Sequence, residues 1–379
     1  MIGTAHGARG GRTSTGRMGM ALNSAQANSS PPHGRAGALA VYLVLLAGLL
    51  AGLPQNADAQ QHARRIATSG WVMSAVPTPH AVISRQGPLP KSVTRLAALN
   101  SAPFPYEGMM PGANQPFIET DQATGRRFHR TPGGRVYWED ERYSDPRVLL
   151  HIPRGFDIRR PGLLVLYFHG HRANLRRDVF MRQRVPWQVS TSRTNAVLAA
   201  PQFAVNASDS SAGKLWQRGA LRDLVNETAG RLAVMHGDPR SESSFANLPI
   251  VIVAYSGGVG PAAWAIRNGD LGSRLRGIVL LDAAYGEMDV FADWIARTLN
   301  AFLLSTYTGS TEGRNRELKA LIEARGVKAL DAIPPRIEPG HVAIVPAASD
   351  ATHHDFLLRA WTDNPLRDLL ARVRGYPRG

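Results

Sequence analysis

The chain predicts an α/β fold, a mainly parallel sheet flanked by helices on both faces. Three observations carry that reading. Continuously apolar runs such as Leu163–Phe168 and Ile250–Ala254 suit strands buried on both faces. Between such runs lie segments with apolar residues at helical spacing. Ala220–Met235 is the clearest, with Leu221, Leu224, Val225, Ala229, Leu232 and Val234. The two kinds of segment alternate from Arg126 to the C-terminus, as successive strand–helix–strand crossovers require. Sheets of this kind place their sites at the carboxyl ends of the strands.

Each element follows in order along the chain. Arg9, Arg12, Arg17 and Arg35 precede an apolar stretch from Ala36 to Leu53, and Ala57-Asp-Ala59 supplies a small-residue cleavage site. Residues 1–59 therefore read as a signal peptide, with an uncleaved membrane anchor as the alternative, and the mature chain is expected in the periplasm or secreted. Residues 60–125 are rich in Pro, Gly, Ser and Ala without sustained periodicity, and read as a low-complexity extension or linker. Trp71, Phe104, Tyr106 and Phe117 suggest that part of it packs on the body. The folded domain is expected over 126–379.

Phe128–Thr131 and Arg135–Trp138 flank Pro132-Gly-Gly134 and predict a hairpin. Further strands are expected at Val148–Ile152, Leu163–Phe168, Ala196–Ala200, Ile250–Ala254, Ile278–Leu281, Ala301–Thr306 and Val342–Val345. Helices are expected at Asn174–Arg182, Ala220–Met235, Pro261–Arg267, Val290–Leu299, Asn315–Arg325 and Leu366–Val373.

Composition narrows the function classes. An apolar content of 44% and seven tryptophans argue for a globular body rather than a disordered chain. The formal charge is +15, but the only lysines are Lys91, Lys214, Lys319 and Lys328. No basic run carries interleaved aromatics, so nucleic acid is not an expected partner. Weak attraction to an anionic envelope surface is what the charge permits. The absence of cysteine excludes disulfides, a thiol nucleophile and cysteine-ligated metal, and no cofactor is expected.

The strand ends carry the chemistry. Val251-Ile-Val-Ala-Tyr-Ser-Gly-Gly-Val-Gly260 ends an apolar run at Ser256, between small residues at Ala254 and Gly258. That is the form of a nucleophile elbow, a tight strand-to-helix turn that lifts a hydroxyl clear of the sheet. His169-Gly-His-Arg172 follows the Leu163 run, Asp282 follows Leu280-Leu281, and His353 and His354 follow the last strand. A serine hydroxyl needs an adjacent base, which histidine supplies near neutral pH, and a carboxylate fixes the imidazole tautomer.

Ser, Asp and His in this chain order, each at a strand end, resemble the α/β-hydrolase superfamily, and the resemblance runs from Arg126 to the C-terminus. It implies Ser256 as nucleophile, Asp282 as acid and His353 as base, with His354 the alternate. His353 is favoured because Phe356 can then pack into the core. The family places the acid after either of two strands, so Glu312 remains open, and Asp289 is expected to cap a helix. The resemblance also implies an oxyanion hole from the backbone N–H groups of Gly257 and His171, with Gly170 the alternate to His171. Trp216 and Tyr255 are expected to meet substrate, Trp216 from the long loop Pro201–Gly219 that also holds Gln202, Phe203, Asp209, Ser210 and Ser211, a packing insertion being the other reading of that loop. His169 and His171 form an H-x-H pair, but the rest of a metallohydrolase signature is missing, so no metal is assigned.

The segment after Asp282 has room for one helix and no cap domain. That open plan looks like secreted esterases and depolymerases, including feruloyl esterase relatives. The expected function is therefore an exported serine hydrolase cleaving small or polymeric carboxylic esters through an acyl-enzyme. An amidase or peptidase of the same fold, or a non-catalytic envelope-binding protein, are the alternatives.

Overall fold

The computed structural model describes residues 87–379; the expected signal peptide and the first part of the extension, Trp71 included, lie outside the described residues. In chain order the strands are β1 (Val93–Ala98), β2 (Glu119–Thr120), β3 (Arg127–Arg130), β4 (Val136–Trp138), β5 (Arg147–Ile152), β6 (Leu163–Phe168), β7 (Ala196–Pro201), β8 (Ile250–Tyr255), β9 (Leu275–Leu281), β10 (Phe302–Tyr307) and β11 (Val342–Pro346). Eight of them form one sheet in the order β1-β5-β7-β6-β8-β9-β10-β11. From β7 to β11 every neighbouring pair is parallel, while β5 runs antiparallel between β1 and β7. The small sheet β2-β3-β4 contains the expected hairpin.

The helices are α1 (Glu139–Arg142), α2 (Val185–Thr191), α3 (Ala220–His236), α4 (Glu242–Ala246), α5 (Val259–Asn268), α6 (Met288–Arg297), α7 (Glu312–Glu323) and α8 (Pro365–Arg372). Leu175–Arg182 is wound as a π-helix, capped by the Asn174 side chain, which accepts from the Arg176 and Arg177 N–H groups.

Every residue of β6, β7 and β8 is buried, which explains their unbroken apolar sequences. Alternate residues serve opposite layers. Leu164, Leu166, Ile250 and Ile252 pack with α3, α5, α6 and α7, whereas Leu163, Val165, Val251 and Val253 pack with α2 and α8. Full burial of one such side chain contributes roughly 1.5–3 kcal/mol. A single helix, α6, connects β9 to β10, and no cap domain intervenes. The expected fold class, a mainly parallel sheet flanked by helices on both faces, is the one observed.

The expected domain start at residue 126 needs correction. Val93–Ala98 pairs residue for residue with β5, as the edge of the main sheet. Phe104 and Phe117 are buried against Tyr143, Tyr106 packs on Phe117, and the described residues belong to one body. An edge strand exposes one side, so Val-Thr-Arg-Leu-Ala-Ala mixes polar and apolar residues and escapes a search for apolar runs. Helices α1, α2 and α4 were also not expected from periodicity. Each has at most seven residues, too few for a periodic stripe to stand out.

Candidate active site

Ser256 follows β8 directly and opens a short 3-10 turn that leads into α5. Its φ is 53°, in the left-handed region that a non-glycine residue enters at a cost of about 1–3 kcal/mol. A Cβ at Gly258 would lie 2.3 Å from the Phe168 carbonyl oxygen at the end of β6, so the elbow closes only with glycine there.

His353 sits in the loop after β11. Its Nε2 lies 2.9 Å from Ser256 Oγ, and its Nδ1 lies 2.6 Å from Asp282 Oδ2. An ionised carboxylate can only accept, so this pairing assigns the proton to Nδ1 and leaves Nε2 facing the serine hydroxyl. Two aromatics hold the ring. The Tyr255 hydroxyl donates to the His353 carbonyl oxygen at 2.6 Å, and the two rings stack at 5.2 Å. Tyr285 meets the imidazole edge-on at 6.0 Å. Phe356 is fully buried three residues on, as the choice of His353 over His354 required. The His354 side chain is exposed at the rim of the cavity.

Asp282 is wholly buried at the end of β9. The Thr308 N–H donates to Oδ1 and the Thr308 hydroxyl to Oδ2, both at 2.9 Å, and the Thr311 hydroxyl also donates to Oδ1. Burial pushes this carboxyl up. The bonds from His353, the Thr308 N–H and the two threonine hydroxyls outweigh it and hold the carboxyl below the usual carboxylate range. The other acid candidates lie elsewhere. Glu312 is exposed at the start of α7 with Arg316 at 3.7 Å, and Asp289 is exposed with Arg325 at 3.7 Å. Asp289 lies inside α6, which starts at Met288, so it is not the cap residue.

The loop after β6 closes over the serine. A Cβ at Gly170 would lie 2.7 Å from Ser256 Cβ, and one at Gly257 would lie 2.3 Å from His171 Cδ2. The backbone of 170–171 and Gly257 thus flank Ser256, where the expected oxyanion donors belong. His171 Nε2 is 2.7 Å from Ser210 Oγ. His169 is buried and has a different job. Its Nε2 accepts from the Phe203 N–H at 2.9 Å and faces the Gln202 amide, while Nδ1 lies 2.8 Å from the Gly170 carbonyl oxygen. Burial pushes its pKa down to about 4, so it is a neutral brace for the loop. Both ring nitrogens are taken, which removes His169 from any H-x-H metal pair.

Two expected substrate contacts change character. Trp216 packs edge-on against Tyr106 and Phe117, at 5.3 and 5.4 Å, and borders a neighbouring groove of about 560 Å³ rather than the cavity over Ser256. Tyr255 borders the cavity but is buried and committed to His353. The loop Pro201–Gly219 divides similarly. Gln202 and Phe203 pack on His169, and Asp209 accepts from the Tyr143 hydroxyl at 2.9 Å, while Ser208 and Ser210 reach the cavity. That cavity, about 890 Å³ and open to solvent, holds Ser256, His353, Tyr255 and Tyr285. Thr308 and Thr311 were missed in the sequence. A cluster of hydroxyl residues directly after a strand, Thr308-Gly-Ser-Thr311, was the available signal.

No family model matches this chain, and no curated protein matches it. Among solved structures it is similar to a feruloyl esterase module from Clostridium thermocellum, complexed with sinapinate, at 11% identity. That match covers 76% of this chain and 96% of that one, with a TM-score of 0.38. It is also similar to an S-formylglutathione hydrolase from Agrobacterium tumefaciens at 10% identity, covering 67% and 99% of the two chains with a TM-score of 0.36. A dienelactone hydrolase from Anabaena variabilis matches at 13% identity over 55% and 82%, with a TM-score of 0.31. At identities this low the chemistry has to be read from this chain's own side chains.

Proposed function

We propose that the protein is a serine hydrolase that cleaves carboxylic esters through an acyl-enzyme. The observation that supports this reading is the continuous chain from Ser256 Oγ through His353 to Asp282, with contacts of 2.9 and 2.6 Å. In the reaction, Ser256 Oγ attacks the ester carbonyl carbon while His353 Nε2 takes the hydroxyl proton. Asp282 stabilises the imidazolium that forms and keeps Nε2 aimed at the serine. The oxyanion of the tetrahedral intermediate faces the N–H groups of Gly257 and His171, each such donor being worth about 3–4 kcal/mol. Collapse of the intermediate breaks the bond to the alcohol, which leaves with the proton from His353. Water then enters, loses a proton to His353 and releases the acid from Ser256.

Among the described residues no second domain covers the cavity, which suits bulky or polymeric esters. The arginines before residue 36, the apolar stretch 36–53 and Ala57-Asp-Ala59 support export, with Gln60 as the first residue of the processed chain. Hydrolysis of p-nitrophenyl acetate tests the chemistry. Ser256→Ala should lower kcat by about 10⁶-fold while the circular dichroism spectrum is unchanged. Turnover near the wild-type level in that variant would remove Ser256 from the mechanism.

A further inference from the structure

The lining of the cavity that holds Ser256 includes three arginines, Arg172, Arg177 and Arg182. The single carboxylate on that lining is Asp178. Both Arg177 and Arg182 bind it, with Arg177 Nη2 at 2.7 Å from Oδ2 and Arg182 Nε at 3.0 Å from Oδ1. Burial pushes the Asp178 carboxyl up, but the Arg177 bond, the Asn174 N–H and Arg182 outweigh it, so the group stays ionised. One negative charge therefore serves two arginines, and Arg172 has no carboxylate partner among the described residues. Its Nε donates to Ser208 Oγ at 2.8 Å, which fixes the stem and leaves both Nη groups without a partner among the described residues.

The backbone around these side chains is built rather than incidental. Arg172 has a φ of 57°, held there by its N–H donating to the Ala207 carbonyl oxygen at 2.8 Å. Arg177 Nη2 also donates to the Arg172 carbonyl oxygen at 2.7 Å and to Asn206 Oδ1 at 2.8 Å, which ties the helix to the loop. Arg182 Nη1 donates to the His354 carbonyl oxygen at 3.0 Å, which anchors the histidine loop to the same cluster. A lining with two unmatched positive charges, in the cavity that holds the serine, suits an anionic oxygen group on the substrate. Guanidinium matches carboxylate, sulfonate and phosphate alike through charge-assisted bonds.

Building on the ester-hydrolase reading, we propose that the preferred substrates are esters carrying an anionic group, bound beside the scissile bond by Arg172 with Arg177 and Arg182 behind it. Arg172 is the residue expected to touch the anion, because the other two are engaged with Asp178.

Matched ester pairs test this on the full processed chain. One pair places the charge on the acyl part, mono-p-nitrophenyl glutarate against p-nitrophenyl pentanoate. The other places it on the alcohol part, m-acetoxybenzoate against phenyl acetate. In at least one pair the anionic member should show kcat/KM about tenfold above its neutral partner at low ionic strength, the gain expected of a charge-assisted bond. That ratio should fall toward one in added sodium chloride and in Arg172→Gln. Whichever pair responds tells whether the anion belongs to the acid or the alcohol. Equal or lower rates for both anionic members would overturn the proposal alone, provided Ser256→Ala abolishes turnover of the neutral esters. A preference that survives both salt and Arg172→Gln would also overturn it. No turnover of any ester would overturn the hydrolase reading and the proposal together.

Discussion

Asp282 concentrates the energetics of the site in one residue. A fully buried carboxylate is tolerated only with every lone pair engaged, and Thr308, Thr311 and His353 engage it. In the proposed mechanism the same bonds set its role, because an ionised acid locks the His353 Nδ1–H and frees Nε2 for the serine. Asp282→Asn should therefore lower kcat by about 10⁴-fold by presenting the wrong tautomer, with KM changed far less. A loss confined to stability, with kcat per folded molecule intact, would contradict that role. At this scale the sequence was informative where a residue's place follows from its own strand end, as for Ser256, Asp282 and His353, which the fold brings into one hydrogen-bonded chain. It was silent where the job depends on a distant partner. Trp216 looked like a substrate contact because nothing local reveals that Tyr106 and Phe117 lie against it. Tyr255 was expected at the substrate, yet its hydroxyl serves a carbonyl 98 positions away.

Among the elements, the elbow is the most constrained. Strand β8, the turn at Ser256 and helix α5 close against the end of β6 only because Gly258 has no side chain. Gly258→Ala should destabilise the protein by about 1–3 kcal/mol, as overpacking of a tight core does, and slow ester turnover at the same time. Urea denaturation with a parallel rate assay would read both, and an unchanged midpoint with full activity would contradict the closure argument. The buried strands were legible because two-sided burial writes itself as an unbroken apolar run. Edge strand β1 was not, since half of its surface faces solvent and its neighbours are rich in Pro and Ser. The π-helix at Leu175–Arg182 was anticipated as a helix but not in its winding, which periodicity over eight residues does not separate from α.

For the whole molecule, buried histidines couple folding to pH, and His169 and His151 are the two pushed furthest. Burial pushes both His169 and His151 down to about 4, with Arg378 adding to the effect at His151. His151 bridges Thr94 on β1 and Ser190 on α2, with contacts of 2.7 Å on each nitrogen. As pH falls from about 6.5, the unfolded chain takes up protons that the folded chain refuses, so stability declines until about pH 4. The urea midpoint should drop across that window, and more shallowly in His151→Gln. A midpoint that is flat between these values would contradict the neutral, buried assignment. The extent of the folded body makes a second prediction at this scale. A chain that begins at residue 126 lacks β1 and the Phe104, Tyr106 and Phe117 cluster, and should lose the single cooperative unfolding transition of the full chain. Retention of that transition would return the segment to the status of a linker.

The proposed mechanism stands on Ser256 being an activated nucleophile. Treating the folded protein with a fluorophosphonate probe and locating the adduct by mass spectrometry tests it most directly, because the probe needs an activated serine and little substrate fit. An activated Ser256 gives a single adduct, absent after heat denaturation and strongly slowed in Asp282→Asn. No adduct on the folded protein, or an adduct on another residue, would contradict it.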